Sequence, residues 1–190
     1  MSSDVADGAA ILTERLVLRP VEEADRDAFE RAWRDSRDRL VPWLPRAWGD
    51  RTPAQAFDLH LKQQAGTERD GTGFRRLATT HAGELVGTFN LSNVVRGPLQ
   101  GGYAAWNLFT GRTGRGYATE AAAALFTHAF TELGLHRLQA NVVPDNHASL
   151  RLARRLGLRR EGYAVRYLEI AGEWRDHVMF AKLAEEHLDT

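Results

Sequence analysis

The segment TGRGYA at residues 113–118 has the residue types needed to bind an anion. Its glycines let backbone N–H groups approach a phosphate without a side chain in the way, and a helix beginning there adds a favourable dipole. Arg112 and Arg115 would strengthen the attraction by charge-assisted contacts. Alone, the loop is a weak indication, because glycines before a helix are more often turn residues. Its spacing matches neither a Walker loop nor a dinucleotide fingerprint.

A second polar group, Asn146 and Ser149, stands at the start of another predicted helix, just after Pro144. Capping of the helix by Asn146 would by itself explain the pattern. The alternative is that this helix start holds an acyl carrier by its amides while the Ser149 hydroxyl donates to a departing sulfur. The residue types leave both interpretations open.

Other chemistries are disfavoured. The chain has no Cys, which excludes disulfides, thiolate metal sites and a cysteine nucleophile. Asp176 and His177 invite interpretation as a catalytic dyad, but neighbouring side chains in a strand point to opposite faces, so we expect a structural or rim role. We interpret His136 and His147 as surface or capping residues, and no spacing of His, Asp and Glu predicts a metal site.

The composition is that of a soluble globular domain. Basic and acidic side chains number 25 each, so no net field draws the chain to nucleic acid or to an anionic membrane. The first ten residues fit neither a signal peptide nor a presequence, and no run of about 18 apolar residues predicts a membrane span. We expect a cytoplasmic monomer or homodimer, with a flexible terminus over residues 1–11 and one domain over residues 12–190.

Hydrophobic periodicity predicts strands and helices in a mixed order. Alternation predicts strands at residues 12–21, 74–80, 84–91, 101–108 and 136–143, and a closing hairpin within 163–183. Helical spacing predicts helices after Asp25, at residues 40–43, after Thr52 and after Gly116, and a last one that Asp145 or Asn146 caps. Leu12, Leu16 and Leu18 should share one strand face. Asp25 and Thr52 should be caps, and Gly134 should end the Ala-rich helix.

Three ordered segments resemble the GNAT superfamily of N-acetyltransferases, in particular its RimJ/RimL branch. They are GRTGRGYATEA, LHRLQANVVPDNHASLRLARRLGLRREGY and GEWRDHVMFAKL, and RLVLRPVEEAD and RLVPWLPRAW extend the similarity to nearly the whole chain from about Leu12. The resemblance implies the α+β GNAT fold. This is a mixed, mostly antiparallel, V-splayed sheet of about seven strands flanked by helices.

The resemblance also implies where acetyl-CoA binds, as a cosubstrate and without a metal. The pantetheine arm would pair with the strand ending at Leu108 and Phe109, opposite the strand over residues 139–143 that carries Asn141. The pyrophosphate would bind to backbone amides of the loop over residues 114–119. Residues next to this loop would also contact the cofactor. The cofactor-binding set so implied is Leu108, Phe109, Arg112, Thr113, Gly114, Arg115, Gly116, Tyr117, Ala118, Thr119, Asn141, Asn146 and Ser149.

Two positions depart from the family pattern. Thr113 stands where the acyl-CoA signature usually begins with Gln or Arg, although Arg112 is adjacent. Ala153 stands where many relatives have a Tyr that protonates the thiolate. Ser149 is therefore the better candidate for the acid.

The general base and the acceptor site are less well defined. Glu84 and Glu161 are candidate catalytic bases, with Glu169 or water relay to backbone carbonyls as alternatives. The Leu108 or Phe109 N–H is the candidate donor to the oxyanion. Trp43, Trp48 and Trp106 are expected to line the groove or the substrate pocket.

The acceptor is expected to be a primary amine, and chemistry favours an α-amine. At pH 7 an α-amine with a pKa of about 8 is roughly a tenth neutral, whereas a Lys amine is far less so. We therefore expect acetylation of a protein N-terminus, such as that of a ribosomal protein. The alternatives are a small amine such as an antibiotic, polyamine or nucleotide-linked amine, and a catalytically silent acyl-CoA-binding module.

Overall fold

The computed structural model describes residues 10–188, and within them an eight-stranded sheet carries helices on both sides. The strands are β1 Ile11–Leu12, β2 Leu16–Arg19, β3 Phe74–Thr80, β4 Leu85–Val95, β5 Gly101–Leu108, β6 Arg137–Val142, β7 Arg159–Ile170 and β8 Glu173–Leu183. The helices are α1 Arg26–Leu40, α2 Arg46–Gly49, α3 Pro53–Arg69, α4 Tyr117–Thr131, α5 His147–Arg155 and α6 Ala184–Leu188. Short 3₁₀ turns occupy Glu23–Asp25 and Val41–Trp43.

The strand order is β1-β2-β3-β4-β5-β6-β8-β7, and every neighbouring pair is antiparallel except β5 and β6. The parallel pairing covers only residues 101–103 against residues 137–139. Beyond it, β5 continues along β4 to Leu108 and β6 continues along β8 to Val142. The two strands therefore separate toward their carboxyl ends, which confirms the V-splayed α+β sheet.

Several local predictions agree with the structure. Thr52 forms a capping box with Gln55 at the start of α3, and Gly134 has a φ of 59° just after α4, where a left-handed residue ends the helix. Asn146 caps α5, because its side chain accepts a hydrogen bond from the Ser149 N–H at 3.1 Å. Hydrogen bonding by short polar side chains and glycine conformation are local effects, so the sequence shows them directly.

Two predictions near the amino terminus need correction. The strand expected at residues 12–21 is two short strands, and Leu12 is 71% exposed while Leu16 and Leu18 are buried. Asp25 does not cap α1 with its side chain; its carboxylate instead binds Arg19 and the Glu22 N–H. The terminus expected over residues 1–11 lies mostly outside the described part, which begins at residue 10, and its division from the domain stays a prediction; Ile11 pairs with Leu18.

Two groups of buried side chains support the sheet. The larger joins α4 and α5 to strands β2 to β6 and β8, with Phe89, Phe126 and Leu138 fully buried. The smaller packs α1 and α3 against β3 and the residue after β5, where Phe109 meets Phe29 edge to face at 5.7 Å. The end of β5 is thus held by both clusters, and this fixes the strand that borders the gap.

Gly87 is a position where the sheet leaves no room for a side chain. A Cβ there would lie 2.1 Å from the Asn107 carbonyl oxygen, against the end of β5. We predict that Gly87→Ala lowers the free energy of unfolding by about 3 kcal/mol, because backbone atoms must move. Urea unfolding measures this change.

Gly66→Ala is the matched control, since Gly66 lies inside α3 and a Cβ at that position would meet no atom within 4 Å. It should raise stability by up to about 1 kcal/mol through helix propensity. Equal effects of the two substitutions would contradict the close contact between β4 and β5.

Candidate active site

The gap between β5 and β6 opens into a cleft of about 340 Å³. Residues from β5, β6, the start of α5 and the β7–β8 hairpin form its walls, and the turn after α1 covers it. Its polar or aromatic lining side chains are Trp43, Ser92, Asn93, Tyr103, Trp106, Asn107, Asn141, Asn146, Ser149, Tyr167 and His177. Within residues 10–188, no Asp or Glu belongs to this lining.

The free edge of β5 offers backbone hydrogen-bonding groups to the cleft. The Phe109 N–H donates to the Val86 carbonyl at 2.9 Å, so it faces β4. Successive N–H groups of a strand point to opposite edges, and the Leu108 N–H therefore faces the gap. The sequence offered the Leu108 or the Phe109 N–H as the oxyanion donor. Only the Leu108 N–H is directed toward the gap, because the Phe109 N–H is bonded to β4. The Phe109 side chain is buried in the smaller cluster and does not line the cleft.

The glycine loop leads directly into α4, as the sequence predicts. Gly114 and Gly116 have φ values of 76° and 81°, and Gly116 is the residue before the first turn of α4. The first N–H groups of a helix have no intrahelical acceptor, so this end presents donors and a positive dipole end to an anion. Tyr117, Ala118 and Thr119 form that first turn.

An ion pair from another part of the chain holds this loop. Glu120 in α4 accepts hydrogen bonds from the Arg15 backbone and side chain and from Thr13, and Arg15 in turn donates to the Arg115 carbonyl at 3.0 Å. Burial alone would raise the pKa of Glu120, but the hydrogen bonds from Thr13 and Arg15 hold it below the usual value. The carboxylate therefore stays charged at neutral pH and keeps the loop attached to the β1–β2 turn.

Arg112 and Arg115, which we expect to strengthen anion binding by the glycine loop, have different surroundings. Arg112 pairs with Glu84 at 2.9 Å and lines a separate surface pocket. Arg115 is exposed and its side chain forms no ion pair with another residue of the described range. Thr113 is exposed in the loop between them.

Ser149 and Trp106 connect the two sides of the gap. The Trp106 ring N–H on β5 donates to the Ser149 hydroxyl oxygen on α5 at 3.2 Å. Trp N–H groups only donate, so the Ser149 hydroxyl proton is not used in this contact. Ala153, one turn later, is fully buried and offers no alternative acid. This geometry gives Ser149 a free proton at the cleft.

Asn141 lies opposite, on β6. Its amide nitrogen is 3.4 Å from the Tyr167 hydroxyl, and its side-chain oxygen is buried without a hydrogen-bond partner among the described residues. An unpaired buried acceptor costs about 1–3 kcal/mol, which a ligand N–H would recover. The Asn141 side-chain oxygen is thus a hydrogen-bond acceptor available to a donor group of a ligand in the cleft.

The structure does not bring the two candidate bases to the cleft. Glu84 is exposed and paired with Arg112. Glu161 binds Arg137, at the opposite end of β6 from Asn141, and Arg159. The hydrogen bond from Arg137 is the main reason that the pKa of Glu161 is lowered, which makes it a poorer base. The sequence could not show this, because the arginine partner comes from another strand.

Two of the three tryptophans expected at the groove or substrate pocket line the cleft, and the third does not. Trp43 and Trp106 line the cleft. Trp48 packs instead beside Trp33 and His60, with ring centroids 6.1 and 6.3 Å apart, in the smaller buried cluster. Glu169 lines another surface pocket near Arg46. Sequence reasoning missed Tyr103 and Tyr167, and it assigned His177 a structural or rim role, whereas the structure places all three in the cleft lining. Their strand positions bring them together only when the sheet pairs.

Comparison with known proteins identifies this architecture. Residues 15–159 match the model of the acetyltransferase (GNAT) domain. The chain belongs to the GNAT acetyltransferase family. A relative, the [ribosomal protein uS5]-alanine N-acetyltransferase of Escherichia coli K12, is 34% identical over 174 residues, covering 90% of this chain and 89% of the relative. The chain is thus an N-acetyltransferase similar to enzymes that act on ribosomal proteins.

Solved structures show the same likeness in three dimensions. RimJ of Mycobacterium smegmatis, in complex with CoA-disulfide, superposes with a TM-score of 0.84 at 34% identity, over 90% of this chain and 83% of RimJ. The ribosomal-protein-S5-alanine acetyltransferase of Vibrio fischeri gives 0.81 at 25% identity, over 94% and 98%. Among residues 10–188, the acetyltransferase has no group of His, Cys, Asp or Glu arranged to hold a metal and no helix that could cross a membrane.

We predict that Glu84→Gln and Glu161→Gln retain acetyl-transfer activity within about twofold of wild type. Both side chains form partly exposed ion pairs, which contribute only about 0–1 kcal/mol to stability, and neither lines the cleft. Thiol release from acetyl-CoA measures the rate. A large loss of turnover with unchanged stability in either variant would restore that glutamate as the base.

Proposed function

We propose that this acetyltransferase moves an acetyl group from acetyl-CoA directly to the N-terminal α-amine of a protein, such as a ribosomal protein. The observation that carries the proposal is the short parallel pairing between β5 and β6, which ends after Tyr103 and Gln139. Beyond it an open strand edge meets a helix start that carries a serine. An acyl carrier with amide groups and a thioester fits that combination.

The cleft suits acetyl-CoA in three respects. Pantetheine contains two amides, and the free edge of β5 can pair with them as an added strand would. The loop that follows β5 leads into the start of α4, whose first N–H groups are available to the pyrophosphate. The unpaired Asn141 oxygen needs a donor. The CoA-disulfide complex of the RimJ relative, 34% identical, supports the same cosubstrate here.

Direct transfer needs three functions from this chain. The neutral amine attacks the thioester carbonyl, so negative charge develops on its oxygen, and the Leu108 N–H is placed to stabilise it. The Ser149 hydroxyl, whose proton is not used by Trp106, donates to the departing sulfur. No covalent enzyme intermediate is required, which fits a chain without Cys.

The cleft lining favours a neutral α-amine as acceptor. No carboxylate among the described residues lines it to hold a Lys ammonium, and an α-amine is about a tenth neutral at pH 7 without help. Two exposed apolar side chains on the β7–β8 hairpin beside it, Leu168 and Trp174, provide surface for a peptide beyond its first residue. The uS5-alanine specificity of the Escherichia coli relative supports a protein amino terminus as substrate.

An acceptor panel tests this function. We expect thiol release from acetyl-CoA with Ala-initiated and Ser-initiated peptides, and none with the same peptides already acetylated at the amino terminus. Mass spectrometry should place the acetyl group on the α-amine even when the peptide contains Lys. Turnover only with spermidine or another small amine would overturn the protein acceptor. Binding of acetyl-CoA without turnover on any amine would indicate a silent binding module.

Ser149→Ala should lower kcat by about 10²-fold while changing the dissociation constant of acetyl-CoA little, because the hydroxyl acts on the leaving sulfur. Steady-state kinetics and calorimetry provide the two values. Ser149→Thr keeps a hydroxyl and should recover part of the rate. If Ser149→Ala turned over at the wild-type rate, the hydroxyl would have no part in the transfer.

A further inference from the structure

His177 is a buried histidine that faces the cleft. It lies on β8, is only 2% exposed and lines the cleft opposite α5. Its ring packs edge to face on Tyr167 at 5.6 Å. Within residues 10–188, no Asp or Glu lines this cavity, so His177 is the side chain there that can accept a proton near neutral pH.

The hydrogen bonding of His177 determines which ring nitrogen is available. Nδ1 lies 3.0 Å from the Arg175 carbonyl oxygen, which can only accept, so Nδ1 carries the proton and donates. In a neutral imidazole the other nitrogen, Nε2, then has a free lone pair. No described residue donates a hydrogen bond to Nε2. The ring is therefore held in the tautomer that a base requires.

Burial of the His177 ring favours the neutral imidazole, and it is the main cause of the lowered pKa of His177. The charge of Arg175 lowers this pKa further, while the hydrogen bond to the Arg175 carbonyl and the charge of Asp176 raise it. The groups that face it from the other strands, Tyr167 on β7 and Asn141 on β6, carry no charge near neutral pH. Asp176 points to the other face, where its carboxylate binds the Tyr163 hydroxyl and the Arg166 N–H.

The sheet places His177 and Ser149 on opposite sides of the gap. Asn141 pairs with Met179, and side chains two residues apart in a strand share a face, so His177 lies on the Asn141 face. Val178, between them, faces the buried cluster that contains Leu152 of α5. Ser149 approaches from that α5 side. The amine would thus approach the thioester carbon from the His177 side, and the sulfur would leave toward Ser149 on the other side.

We propose that His177 is the general base of the transfer, taking a proton from the acceptor amine through Nε2. This inference rests on the proposed function, because it assigns a role within that reaction. It also explains why a cleft without carboxylates can support amine chemistry. The aromatic contact with Tyr167 and the bond to Arg175 fix the orientation of the ring.

The proposed step balances in atoms and charge. The amine nitrogen forms a bond to the carbonyl carbon, and its N–H proton passes to Nε2 of His177. The C–S bond breaks with its electron pair on sulfur, which takes a proton from the Ser149 hydroxyl to give the thiol. The imidazolium then releases its proton to solvent and Ser149 regains one from solvent. A weak base suffices, because the amine becomes acidic as the new bond forms.

His177→Asn separates this role from a structural one. An Asn side-chain NH₂ can still donate to the Arg175 carbonyl in the place of Nδ1, but nothing replaces Nε2. We expect kcat for an Ala-initiated peptide to fall by about 10²-fold, with the KM of acetyl-CoA and the melting temperature nearly unchanged. Wild-type kcat should decrease as pH falls below the ordinary histidine pKa of 6.5, because protonation removes the base. The variant should lack that decrease.

Asp176→Asn is the matched control, since the side chain lies on the other face of the same strand. The amide oxygen can still accept from the Arg166 N–H, and the amide NH₂ can donate to the Tyr163 hydroxyl oxygen. The variant should keep wild-type turnover. The proposal would be overturned by normal kcat in His177→Asn, by an effect on KM alone, or by equal losses in both variants, which would indicate damage to the hairpin.

The same experiment distinguishes this inference from the proposed function. If wild-type protein acetylates the peptide and His177→Asn does so equally well, His177 is not the base and the function stands. If wild-type protein ignores peptides but acetylates spermidine, the protein acceptor is wrong, and the variant is then compared on spermidine. A loss of kcat there would still support His177.

Discussion

The parallel pairing between β5 and β6 ends after three residue pairs, and the candidate site depends on this interruption. Each strand remains paired with a neighbour on its other side, so the strands separate without unfolding the sheet. In β4 the register shifts between Ser92 and Val95, level with the last pair at Tyr103, and such irregularities increase local twist. Backbone groups at an open strand edge can pair with a ligand, which supports the proposal that the gap binds acetyl-CoA.

The parts around the gap are held by contacts from distant segments of the chain. Glu120 and Arg15 join the glycine loop to the β1–β2 turn, and Trp106 joins β5 to Ser149 on α5. These contacts place N–H donors, a hydroxyl and a strand edge in fixed relative positions. Pre-organised donors of this kind are effective because they need not reorient as charge develops in the transition state.

The electrostatics of the cleft differ from those of the surface around it. Carboxylates are abundant in the chain, but Glu84 and Glu161 are paired with arginines outside the cleft. The cleft itself is lined by amides, hydroxyls, aromatic rings and one neutral histidine. Within residues 10–188 the lining has no carboxylate to stabilise an ammonium, so it favours the neutral amine that attack requires. This is consistent with an α-amine acceptor, whose pKa is low enough to supply the neutral form.

The local features of the fold and of the candidate site were determined by the sequence alone. The glycines at 114 and 116, the cap at Asn146 and the strand ending at Leu108 act through their own backbone conformation and local hydrogen bonds, so residue types and spacing predicted them. Tertiary structure decided what depends on pairing between distant strands. Tertiary pairing binds Glu161 to Arg137, and it turns the N–H of Leu108 rather than that of Phe109 toward the gap. It also places His177 beside Tyr167 and on the same face as Asn141. Which face of a strand lines a cleft depends on its neighbours, and one strand's sequence does not contain that information.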